Sequence, residues 1–287
     1  MNRKILVTSL VLTFVIILAS ATVVAADNSP SAELLASGLE GASGSTIGPD
    51  GALYVTEGVA GRILRVDPQT GAKTIFANGL PQRIIPLGGV VDIAFMDETA
   101  YALVTIVSPD VFGLGSHVSG IYRIDSPTSW TVIADLGQWS IDNPSGSEVV
   151  IPSGVHYAMD TFRGGFLVTD GHHNRVLYAT LGGEVSEMMA FDNIVPTGLE
   201  VFGNTVYMAE AGPNPHLPED GKVVAFGPKS SAFWEVASGA PLLVDVEFGL
   251  GRSLYALAQG DFPEGSGDGS PATPYTGSLV DVKDDGT

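Results

Sequence analysis

The stretch GSTIGPDGALYVTEGVAGRILRVDPQTGAKTIFANGLP (Gly44–Pro81) constrains the fold more than any other part of the chain. It holds four short runs rich in Val, Ile, Tyr and Thr: Ser45–Ile47, Leu53–Thr56, Ile63–Val66 and Lys73–Ala77. Pro49-Asp50-Gly51, Gly58–Gly61 and Asp67–Gly71 separate these runs, and such residues favour turn conformations over extended ones. The same grammar recurs. A second unit reads VVDIAF, AYALVTIV, GIYRID, WTVIADL; a third SGVHYAM, GFLVTD, NRVLYAT, EMMAF; a fourth TGLEVF, TVYMAE, GKVVAFG, WEVAS. A fifth has LVDVEF, SLYALAQG and GSLVDV. Four-stranded units recurring every about 40 to 50 residues stack as propeller blades, because one such sheet cannot bury both of its faces alone. No apolar period of a helix survives beyond the N-terminal stretch, so the fold class is all-β.

Five repeats are visible, and the ring they form is expected to have five or six blades. The fifth unit lacks its fourth strand. Either a strand from AELLASGL (Ala32–Leu39) completes it and closes the ring, or a further blade is missing after DVKDDGT.

Residues 1–26 read as a signal peptide, ahead of a propeller domain over 27–287. Arg3 and Lys4 precede an apolar run from Ile5, and Ala19-Ser20-Ala21 or Val24-Ala25-Ala26 offer small-residue cleavage sites. The expected setting is secreted or extracytoplasmic, with an uncleaved N-terminal anchor as the rival. No later run is long and apolar enough to span a bilayer, so no membrane span is expected after cleavage. There is no cysteine, and a core this large needs no disulfide. Without Arg3 and Lys4 the chain carries 11 basic against 32 acidic residues, a net charge of −21. Such a surface repels phosphate backbones and argues against nucleic acid as a partner.

GPDGALYVTEG, GRILRVDPQTG, PTGLEV and YTGSLVDVKDDG resemble the ScyD/ScyE family of exported proteins, over nearly the whole exported chain. GPDGALYV also occurs in NHL-type and lactonase-type propellers. The resemblance implies a six-bladed propeller of the NHL/TolB-like kind and an association with scytonemin, a cyanobacterial pigment. It carries over no catalytic residue.

In a propeller the A–B and C–D turns share one face, and the B–C and D–A connections share the other. Here the first set is short. The second includes SPDVFGLGSHVSG (Ser108–Gly120), GQWSIDNPSGSEVVIPS (Gly137–Ser153), AGPNPHLPEDG (Ala211–Gly221) and GDFPEGSGDGSPATPYTG (Gly260–Gly277). Insertions concentrated on one face mark it as the binding face, for a small molecule or a protein. His117, His172, His173 and His216 fall in its B–C loops, and His156 in an inner strand. Trp139 and Phe112 would stack on a ligand or cover the blade tops. Aligned inner-strand positions are Gly44, Asp92, Gly154, Gly198 and Asp245, which points Asp92 and Asp245 into the channel. They are weak candidates for Ca²⁺ or another divalent cation, no cofactor being expected outright. GSGDGS (Gly265–Ser270) is a flexible loop or a weak Ca²⁺ loop. Glu57, Asp170 and Glu210 follow strand B and read first as acceptors that order the next turn.

No G-x-S-x-G, H-E-x-x-H or cysteine nucleophile is present. Three functions stay open: an exported binding propeller without catalysis, which the reading favours; a metal-dependent lactonase or gluconolactonase; and an accessory factor in extracytoplasmic pigment or secondary-metabolite production. VTDGHHNRVLY (Val168–Tyr178) matches VTEGVAGRILR position by position, so Asn174 takes the place of Gly61 in a left-handed turn. His172 and His173 have no counterpart there, and as loop residues both should be replaceable by alanine without loss of folding.

Overall fold

Alternation of apolar and polar residues, cut by Gly, Asp and Pro, produces nineteen strands in the described part of the chain. The computed structural model describes residues 33–146, 149–227, 232–267 and 270–283. The expected signal peptide, 1–26, lies outside them. Leu35–Thr287 make one unit, to which all the strands belong.

Blade 1 comprises β1 (Ala42–Ile47), β2 (Leu53–Glu57), β3 (Arg62–Val66) and β4 (Lys73–Asn78). Blade 2 comprises β5 (Gly89–Met96), β6 (Thr99–Thr105), β7 (Gly120–Ser126) and β8 (Ser129–Asp135). A helix of about two turns, α1 (Leu136–Asp142), leads on to blade 3: β9 (His156–Phe162), β10 (Gly165–Asp170), β11 (Arg175–Thr180) and β12 (Val185–Ala190). Blade 4 holds β13 (Pro196–Phe202), β14 (Thr205–Glu210), β15 (Lys222–Phe226) and β16 (Phe233–Ser238). Blade 5 has three strands, β17 (Leu243–Phe248), β18 (Leu254–Ala258) and β19 (Ser278–Val282). Every sheet is an antiparallel meander in chain order. The chain is a five-bladed β-propeller, the lower of the two expected counts.

Aromatic and aliphatic side chains fill the spaces between blades. Tyr54 and Phe76 of blade 1 meet Phe95 of blade 2, and Tyr101 of blade 2 meets Phe166 of blade 3. A second, polar tie runs near the axis. Thr56 and Thr169 stand just before the end of a second strand and Thr105 at the end of one, and each reaches the inner strand of the next blade. The Thr56 hydroxyl donates to Val91 O at 3.0 Å, and the Thr105 hydroxyl accepts from His156 N–H at 3.1 Å. Thr169 donates to Thr197 O, and Thr197 donates in turn to Leu243 O. Buried backbone groups that the strands leave unpaired are satisfied this way.

Two sequence expectations are corrected. The inner strands pack in succession, β1 on β5, β5 on β9, β9 on β13 and β13 on β17, but β17 does not pack on β1 in the same way. Ile47 of blade 1 and Leu279 of blade 5 are left 61% and 65% exposed. The stretch after Ala32 does not complete blade 5. Ala36 and Leu39 instead lie on Val55, Leu64 and Val66, covering part of the outer face of blade 1. Secondly, α1 forms where only loop was expected. It is too short to leave an apolar period in the sequence, and Asp135 starts it by accepting from Gln138 N–H at 2.8 Å.

Candidate functional site

Inner strands carry carboxylates toward a common space. Asp92 on β5 accepts from its neighbour Ile93 N–H at 2.8 Å and from Met159 N–H of blade 3 at 2.7 Å. Asp160 on β9 repeats the arrangement one blade on, with Thr161 N–H and, at 2.8 Å, Val201 N–H. Asp245 on β17 accepts from Val246 N–H at 2.9 Å. Burial is the main cause that raises all three carboxyls above their usual range, Asp245 to about 6. Glu200 on β13 goes furthest. Burial and then the charge of Glu247, to which it hydrogen-bonds, push it up to about 9. Asp160, Glu200 and Glu247 were not visible as site residues in the sequence.

These aspartates have backbone partners of their own. Both oxygens of Asp92 already accept backbone N–H groups, which makes it a staple between blades 2 and 3. Among the described residues no three His, Asp or Glu side chains converge as metal donors. The possible Ca²⁺ loop Gly265–Ser270 falls partly on 268–269, outside the described residues.

The second carboxylate group stands at the ends of strands β2, β10 and β14. Glu57 faces Arg62 and forms an ion pair with it. Asp170 faces Arg175, and both are fully buried. Asp170 Oδ2 accepts from Arg175 Nε at 3.2 Å, while Oδ1 accepts from Val155 N–H at 3.2 Å. Arg175 also donates to Asn143 O at 2.8 Å, and its guanidinium lies 4.9 Å over the Trp139 ring. Trp139 is therefore a cover residue here, held by α1 against the blade 2 and 3 core. Glu210 faces Lys222, but the lysine turns away to Glu235 at 2.8 Å.

The five histidines separate into different roles. His173 is 2% exposed. Its Nδ1 accepts from Ser145 N–H at 3.3 Å and its Nε2 donates to Pro152 O at 3.1 Å, which ties down both ends of the connection after α1. Burial drops its pKa to about 4, so the ring stays neutral. His156 is equally buried, next to Thr105, with its pKa lowered by burial. His172 is partly exposed in the same turn. His117 is exposed on the β6–β7 connection. His216 bonds Gly212 O at 2.7 Å and packs edge-on against Phe262. Only His156, His172 and His173 share one neighbourhood.

The expectation that both turn histidines are dispensable is corrected for His173, which is a tie and not a loop ornament. His173→Ala is expected to lower stability by about 1–3 kcal/mol, the effect of emptying the place of a buried ring and removing a hydrogen-bonding partner from two part-buried backbone groups. Urea unfolding at neutral pH measures it, and a loss under about 0.5 kcal/mol would contradict the role.

Gly61 and Asn174 both adopt the expected left-handed conformation, φ 63° and 52°. Asparagine adds something glycine lacks: its Oδ1 accepts from Ile194 N–H and Val195 N–H, at 3.0 and 2.9 Å, pinning the entry to blade 4.

No protein-family model and no curated protein matches the sequence. Solved structures match the fold. A gluconolactonase from Xanthomonas campestris aligns with a TM-score of 0.56 at 12% identity, over 78% of this chain and 71% of that one. A chain of a nidogen/laminin complex gives 0.53 at 15% identity, over 83% and 82%. A streptogramin B lyase gives 0.51 at 15% identity, over 76% of this chain. This chain spans 62% of that lyase's length. At these identities the likeness is one of fold, and two enzymes stand beside a chain from a protein–protein complex.

Proposed function

We propose that the chain is an exported propeller that binds a ligand or partner through its long-loop face, without catalysis. One observation carries this reading. Phe112, Leu114, Ile141, Val150, Leu217 and Tyr275 are large apolar residues left exposed, and all six lie in the connections of that face. Exposed apolar side chains gathered in loops on a rigid scaffold mark an interaction surface. The loops are held firmly beneath, by Asp170–Arg175, by His173 and by Asp110, which accepts from Ser153 N–H at 2.9 Å. A surface prepared in this way loses less entropy on binding. The secretory features of the N-terminal stretch and the resemblance to the ScyD/ScyE family support an extracytoplasmic setting. Asp92 and Asp160 support a scaffold role, since each accepts from a backbone N–H of the next blade.

The test uses soluble extracytoplasmic protein, polysaccharide and small-molecule fractions, measured by interferometry on the immobilised chain. Saturable binding is expected, with at least a tenfold loss when Phe112, Leu114 and Tyr275 are all replaced by serine, while the melting temperature holds. Unchanged binding by that variant would overturn the reading. So would hydrolysis of glucono-1,5-lactone faster than in buffer, with Ca²⁺ or Zn²⁺ supplied.

A further inference from the structure

Blades 1, 3 and 4 repeat one local arrangement, and the fourth leaves it incomplete. In each, a carboxylate ending the second strand faces the first residue of the third: Glu57 and Arg62, Asp170 and Arg175, Glu210 and Lys222. In blade 3 a second carboxylate joins from the outer strand, Glu187, whose oxygen lies 3.7 Å from the Arg175 guanidinium. Glu187 stands opposite Leu177, two residues after Arg175, and Glu235 stands opposite Val224, two residues after Lys222. Blade 4 thus keeps both carboxylates, as Glu210 and Glu235, and lacks only the guanidinium between them.

Lysine cannot replace it. Its ammonium is a single point of charge, whereas the arginine fork reaches two acceptors at once. Lys222 goes to Glu235 near the surface. Glu210 is 2% exposed, and its Oε1 is buried without any hydrogen-bond partner. Burial holds its pKa up to about 7, although the charge of Lys222 pulls it down. Beside it lies a depression of about 230 Å³, lined by Glu210, Lys222, Glu235, Asp220 and the ring of Phe233.

We propose that this depression binds a guanidinium group, carried by a free small molecule or by an arginine side chain. The cation would do from outside what Arg175 does from inside in the preceding blade. Glu210 and Glu235 accept from its fork, Asp220 adds charge, and Phe233 offers a face for the flat cation, as Trp139 does for Arg175. The proposal rests on the binding reading of the long-loop face, to which the connection carrying Asp220 belongs.

Calorimetric titration of the full chain tests it, with arginine amide, a blocked Gly-Arg-Gly tripeptide and n-butylamine as probes. At least one guanidinium probe is expected to bind saturably, tenfold or more tighter than n-butylamine, and to lose tenfold or more in Glu210→Gln. Tighter binding of arginine amide assigns the site to free small molecules, and tighter binding of the tripeptide assigns it to arginine side chains. Lys222→Arg fills the place from within, so it should abolish binding and raise the melting temperature, whether or not Glu210→Gln folds. Absence of binding, equal binding of n-butylamine, or binding unchanged in Lys222→Arg would each overturn the proposal. Binding by the serine variant of Phe112, Leu114 and Tyr275 separates the two readings, because those residues do not line the depression.

Discussion

Arg175→Ala is expected to lower the unfolding free energy by about 3–5 kcal/mol, the usual result of removing one partner from a buried ion pair. Three losses combine. Asp170, fully buried, loses its counter-charge. Asn143 O loses the donor that fixes the end of α1, and Trp139 loses the cation over its ring. The guanidinium itself is 1% exposed, so its removal leaves a cavity that water cannot readily fill. Two comparisons separate charge from volume. Arg62→Ala should cost less, because Arg62 is 24% exposed, so water can enter where its guanidinium stood, and the buried Glu57 keeps the Glu40 N–H as a donor. Asp170→Asn combined with Arg175→Met should recover part of the loss, since neither charge is then stranded. Guanidinium-chloride unfolding of the three variants gives the values. An Arg175→Ala loss no larger than that of Arg62→Ala would mean that the pair is not buried in solution.

The same pair shows what could be read in the sequence. Asp170 and Arg175 lie five residues apart across a four-residue turn, and their match to Glu57 and Arg62 is visible by eye. Strand count, turn positions and the face of the long loops came from the same repetition, because a period-two strand pattern and its turn residues are local signals. The channel was legible only in part. Asp160 and Glu200 pair with Leu167 and Tyr207, the third pair from their hairpin turns, whereas Asp92 pairs with Leu103, the fifth, so Asp160 and Glu200 stand two residues further along the inner strands than Asp92. Of the aligned column, Gly44 lies against Asp92 and Gly198 against Asp245, whereas Gly154 falls before β9. A bulge interrupts each inner strand, between Val90 and Asp92 in blade 2 and between Pro196 and Leu199 in blade 4, and one extra residue shifts every side chain after it. Burial was illegible for another reason. His172 and His173 are adjacent and chemically identical, and the bonds from Ser145 and Pro152 to His173 set them apart. Equally, nothing local to Lys222 says that it turns to Glu235 and strands Glu210.

Glu200→Gln is expected to stabilise the protein, increasingly so as the pH rises. Glu200 is held near 9 by burial and by Glu247, against an ordinary value of 4.5. The sign follows from proton uptake. Between those two values the folded chain keeps a proton that the unfolded chain has released, so the contribution of Glu200 is fully present below about 4.5 and is lost as the pH climbs toward 9. Asp245, raised to about 6, pulls in the same direction over a narrower window. Glutamine keeps a donor facing the Glu247 carboxylate and has nothing to ionise. Its advantage over the native residue should be close to zero at pH 4.5 and reach about 2 kcal/mol at pH 8.5, or about 4–8 °C in melting temperature for a domain of this size. His173, lowered to about 4, changes both proteins alike at the acid end, where it loses stability as the pH falls below its unfolded value, and so cancels in the difference. Calorimetry of the two proteins from pH 4.5 to 9 measures that difference directly. A constant gap across the range would show that Glu200 is ionised throughout, and that the channel holds its charges apart instead of sharing a proton between Glu200 and Glu247.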